Sequence, residues 1–125
     1  MDDATLISEL VASYKRQLAL YEELSSVVQK TLSQVILTRG EVSGLMGNFT
    51  RKQELLDGIL KERANSQPFV TLWQERKAGV RQDSRTALLD GLLSKTQTVI
   101  REFLEAEEQL KKYLEHVVKK GSVVS

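Results

Sequence analysis

Between Ile7 and Leu37 apolar residues return every seven positions: Ile7, Tyr14, Tyr21, Val28 and Val35 form one row. Leu10 and Leu24 flank it on one side, and Val11, Leu18 and Leu32 on the other. Neither Gly nor Pro interrupts the stretch from Asp3 to Arg39. Such a repeat marks one face of a helix, which at 1.5 Å per residue reaches roughly 50–55 Å here. A two-helix seam needs only two apolar positions in seven, so the wider face predicts a helix that touches two neighbours.

Two further apolar rows follow, separated by short breaks. The first break spans Gly40 to Asn48, where Gly40, Gly44 and Gly47 weaken a helix by about 1 kcal/mol each relative to Ala. Thr50 and Gln53 then fit a capping box opening a second helix over 49–80, with Leu55, Leu56, Ile59 and Leu60 on its apolar face. Pro68 cannot donate a backbone hydrogen bond and restricts Gln67, so this helix is expected to break near 65–68, with Phe69, Leu72, Trp73 and Val80 forming a further segment. Asp83 and Ser84 are both good N-caps for a third helix over 84–120, ended by the basic Lys119-Lys120 and Gly121. Residues 122–125 read as a loose tail. The expected fold class is all-α: one domain over 1–121, an antiparallel bundle or long hairpin of three main helices with Trp73 as its largest core side chain.

Composition narrows the function more by exclusion than by indication. Lys and Arg number 18 against 17 Asp and Glu, so no large field of one sign is available to attract nucleic acid. Lys111, Lys112, Lys119 and Lys120, and Arg76, Lys77, Arg81 and Arg85, are offset by nearby acids or spread around a helix, and no aromatics interleave for base stacking. No apolar run approaches the roughly 20 residues of a membrane span, and the start at Met1-Asp2-Asp3 is acidic where a secretory leader is basic. With Cys 0 there is no disulfide or thiolate chemistry. A cytoplasmic protein is expected, without nucleic acid or membrane insertion.

Chemistry-bearing spacings are equally scarce. The single histidine, His116, has Glu115 beside it rather than three or four residues away, so no helical metal-ligand spacing exists. Glu102, Glu105, Glu107, Glu108 and Glu115 alternate with Arg101, Lys111 and Lys112, the pattern of a solvated face. Asn48-Phe49-Thr50 spells a glycosylation sequon, and Gly44-Leu45-Met46-Gly47 lacks the length and the lysine of a phosphate loop. No catalytic, metal or cofactor site is expected, and so no enzyme. What remains is apolar surface that a small bundle does not bury, a groove for a partner's amphipathic helix. Phe103, Leu110, Tyr113, Leu114, Val117 and Val118, running toward the end of the last helix, are its candidates.

Lys52-Gln53-Glu54-Leu55-Leu56-Asp57-Gly58-Ile59 resembles the Lys-x-x-Leu-Leu-x-x-Ile phrase that follows the first turn in the FlgN-like flagellar type III export chaperones. Leu20-Tyr21-Glu22-Glu23-Leu24 and the long leucine-rich last helix agree in placement. Leu88-Leu89-Asp90-Gly91-Leu92 does not reproduce the Asn-rich start of the family's last helix. The resemblance implies a cytosolic chaperone that shields a helical segment of hook–filament junction subunits before export. It also places the binding region over 99–118, adding Val99 to the candidates. The alternative reading is a structural or adaptor coiled-coil protein that self-associates into a homo-oligomer.

Overall fold

In the computed structural model three long helices account for nearly the whole chain. It describes all residues except Gly40, Val42 and Ser125, and side chains only as far as Val117. Helix α1 spans Asp3–Leu37, α2 Met46–Arg76 and α3 Ser84–Val124, with 3₁₀ turns at Ser43–Leu45 and Lys77–Gly79. No strand occurs among the described residues. The all-α bundle expected from the apolar rows is thus the fold.

Helix α1 starts where Asp2 accepts the Thr5 backbone N–H at 2.7 Å, satisfying one of the orphan donors of the first turn. It stops at Thr38, whose N–H and hydroxyl both reach the Gln34 carbonyl, at 2.9 and 2.7 Å. Arg39 follows with φ 57°, so a non-glycine residue makes the left-handed turn off the helix. The start of α2 corrects the sequence reading. Its first residue is Met46, capped by Leu45 without a side-chain hydrogen bond, and Gln53 donates to Asp57 at 3.0 Å instead of closing a box with Thr50. The reciprocal cap belongs to α3. There the Asp83 carboxylate accepts from the N–H groups of Arg85 and Thr86 at 2.9 and 3.3 Å, and the Thr86 hydroxyl accepts the Asp83 N–H at 2.9 Å.

The expected break near 65–68 does not occur: α2 runs through Pro68 to Arg76. Pro68 and Ala64, whose carbonyl the missing N–H would have served, are both exposed, so water can take that carbonyl. Packing on α1 along the opposite face holds the rest of the helix together. Gly121 does not stop α3 either; its backbone stays helical to Val124, through most of the expected tail.

Helix α1 is central. It packs along both α2 and α3, while α2 and α3 touch little directly, in line with the breadth of its apolar face. Arg76 at the end of α2 meets Asp3 and the Met1 carbonyl, and Arg51 at its start meets Glu23, so α1 and α2 are antiparallel. Leu6 and Leu10 meet Leu89, while Val28 and Val35 share a cluster with Phe103, Ala106 and Leu110, so α1 and α3 run parallel.

The core comes in two parts. The larger holds Tyr21, Leu24, Val28 and Val35 against Leu55, Ile59, Phe103 and Leu110; the smaller holds Leu6, Leu10 and Leu89. Trp73, expected as the largest core side chain, packs half-buried against the smaller part. A polar layer sits along the α1–α2 interface at Ser13, Gln17 and Ser66, all buried. Ser13 donates to Glu62 at 2.9 Å and accepts from Gln17 at 3.1 Å, and Arg16 donates to the same Glu62 oxygen at 2.9 Å. Such a layer favours one register, because sliding the helices would strand its buried groups. The Arg16 hydrogen bond, followed by that of Ser13, holds the Glu62 carboxyl below the usual carboxylate range.

Candidate functional site

Because α2 and α3 both pack on α1 and barely on each other, a groove of about 660 Å³ is left between the start of α2 and the second half of α3. Phe49 and Lys52 form its α2 wall; Leu104, Leu110 and Leu114 give the α3 side its apolar surface, and Glu107, Glu108, Lys111 and Glu115 surround them. Leu104 is 56% exposed; Leu60 and Leu88 are exposed too, and Leu104 matters here because it stands with Phe49, Leu110 and Leu114 along one groove. Phe49 and Leu114 are half-buried and back onto the larger core.

One ion pair crosses the groove, from Lys52 to Glu107 Oε1. The second carboxylate oxygen of Glu107 is buried and has no hydrogen-bond partner among the described residues. Lys111 has no ion pair among the described residues, whereas Lys112 lies 3.8 Å from Glu108. The site therefore combines an apolar strip with margins of both charge signs, among them Lys111, which has no ion pair among the described residues, and this suits recognition of an amphipathic surface.

The candidates read from the sequence fall on both sides of this boundary. Phe103 and Leu110 are core residues, 8% and 4% exposed, so the expectation that they form a free binding face is corrected. They occupy the face that α3 turns to α1, and burial there consumes the surface assigned to a partner. Leu110 still shows an edge to the groove, and Leu114 lines it. Val99 and Tyr113 pack half-buried against the core, with Val99 also edging a more polar trough of about 490 Å³ between α1 and α3. Val117 is half-buried, and the side chain of Val118 lies outside the described residues.

Leu104, Phe49, Lys52, Glu107 and Lys111 were not singled out as site residues by the sequence. Leu104 stands one position beyond Phe103, off the row through 99, 103, 110, 113 and 117, so it reads as an isolated surface leucine. The asparagine of the sequon faces inward from α2, donating to Thr31 at 3.2 Å and to Gln34 at 2.8 Å. No group of three His, Asp or Glu able to hold a metal gathers among the described residues. None of the described helices is long and apolar enough to cross a membrane. Comparison with known protein families, curated proteins and solved structures gave no match.

Proposed function

We propose that this protein is a non-enzymatic binding protein that takes up an amphipathic helix of a protein partner in the groove between α2 and α3. The observation that carries the reading is Leu104, 56% exposed among Phe49, Leu110 and Leu114 within a charged surround. A helix laid there would cover Leu104 with its apolar face and meet both signs of charge at its margins. The resemblance of residues 52–59 to the FlgN-like chaperones supplies the setting: a cytosolic export chaperone that shields a terminal amphipathic segment of hook–filament junction subunits. The groove involves the second half of α3, the region that resemblance assigns to substrate.

The test is fluorescence anisotropy with a labelled synthetic peptide carrying the terminal amphipathic segment of a hook–filament junction subunit. Saturable binding is expected, and Leu104→Asp should weaken it at least about tenfold, equivalent to 1.4 kcal/mol, with unchanged circular dichroism. Absence of binding at on the order of 100 μM peptide, or unaltered binding by Leu104→Asp, would reject the reading.

A further inference from the structure

The four positions 104, 107, 111 and 114 of α3 all line the groove and are spaced three, four and three apart. That is the spacing of a coiled-coil seam, set one residue round the helix from the row that packs on α1. In sequence the seam reads Leu104, Glu107, Lys111, Leu114, and the next positions outward at the same spacing are Ile100 and Val118. Reversed, the order is apolar, basic, acidic, apolar: the seam is the charge complement of itself.

From this we infer that, without another partner, the groove is occupied by α3 of a second copy of the chain, paired antiparallel about a two-fold axis near position 109. Antiparallel seams place each residue opposite the one at the mirrored position. Leu104 then meets Leu114 of the other copy, and Glu107 meets its Lys111, each contact occurring twice. Parallel pairing would set Glu107 against Glu107 and Lys111 against Lys111, two like-charge contacts in a partly desolvated seam. The charges therefore select the orientation as well as the partner.

A cation left unanswered within one copy finds a partner in this arrangement. Glu107 presents Oε1 to Lys52 across the groove, while Lys111 is without an ion pair among the described residues. That Oε1 has more than one lone pair and can accept from the other copy's Lys111 beside Lys52. At the margin Arg101 lies opposite Glu115. Glu108 faces its own copy near the axis, a repulsion that Lys112, 3.8 Å away within each chain, offsets. The paired stretch from 100 to 118 is about 28 Å long at the helical rise, a contact of a few heptads that fits a reversible dimer. A second copy and a partner helix would exclude one another, but self-pairing needs no partner, so its test stands apart from the chaperone reading.

The experiment is sedimentation velocity on the full chain alone, at concentrations up to the order of hundreds of micromolar. Wild type should pass from monomer to dimer. Lys111→Glu and Glu107→Lys should each weaken the dimer at least about tenfold, yet an equimolar mixture of the two should associate about as tightly as wild type, because each supplies the charges the other lacks. Should Glu107→Lys fail to fold, cysteines decide the matter, since the chain has none of its own. Under oxidation Leu104→Cys mixed with Leu114→Cys should form a mixed disulfide dimer, with little from either variant alone. A wild type that stays monomeric throughout, a mixture no tighter than its components, or predominant cross-linking of Leu104→Cys to itself would overturn the inference.

Discussion

Replacing Leu110 by Ala removes three carbons from a side chain that is 4% exposed and packed in the larger core. At about 0.8 kcal/mol per buried methylene the transfer loss is near 2.4 kcal/mol, and the cavity left between α1 and α3 brings the cost to about 3 kcal/mol. The same change at Leu104, 56% exposed, should cost under about 1 kcal/mol. The two sites lie on one helix and the substitution is the same, so propensity cancels and only burial differs. Urea unfolding followed by circular dichroism, on protein dilute enough to be monomeric, measures both. With an m-value of about 2 kcal/mol/M, Leu110→Ala should lower the midpoint by about 1.5 M and Leu104→Ala by less than about 0.5 M. Equal losses, or a larger loss at Leu104, would mean that α3 turns a different face to α1. The division between core and groove would then be wrong.

Further expectations concern the helices that frame the groove. Glu62→Gln should cost less than about 1 kcal/mol at neutral pH, because Arg16 is exposed. Its hydrogen bonds depress the Glu62 carboxyl in the folded state, so their stabilisation is present above the ordinary carboxylate range and lost as pH falls through the folded value. The gap between wild type and variant should therefore close on acidification; a gap that widens would contradict the assignment. Pro68→Ala should raise stability by about 1–2 kcal/mol, restoring a backbone hydrogen bond less the entropy that proline removes from the unfolded chain. Destabilisation would show that the helix is not continuous there. A methyl group at Gly91 would meet nothing within 4 Å, and Gly91→Ala in that exposed helix interior should add about 1 kcal/mol, read as a higher urea midpoint.

Much of the architecture is legible in residue spacing. The period of α1 announced a helix with two neighbours, and it has them. Local chemistry was a weaker guide at the ends and in the middle of helices. Thr50 and Gln53 have the right spacing for a cap, but the chain becomes helical four residues earlier, where packing of Leu45 and Phe49 onto α1 outweighs a side-chain hydrogen bond. Pro68 was read as a break because its local cost is evident, whereas the compensating contacts of the same helix with α1 lie about fifty residues away in sequence. For the site, the sequence pointed to the second half of α3 and named Leu110 and Leu114, which line the groove, together with Phe103, which is core. Phe103 and Leu110 carry the more conspicuous row, and conspicuous apolar rows are what a core consumes.

By itself the sequence determined the helices, their lengths to within a few residues and the order in which they follow, because periodicity and the absence of breakers act along the chain. It also holds the self-complementary order of Leu104, Glu107, Lys111 and Leu114. Only the tertiary structure decided which of two adjacent rows on α3 is covered. A single residue's advance turns a helix by about 100°, and that turn separates Phe103, pressed against α1, from Leu104, left facing the groove.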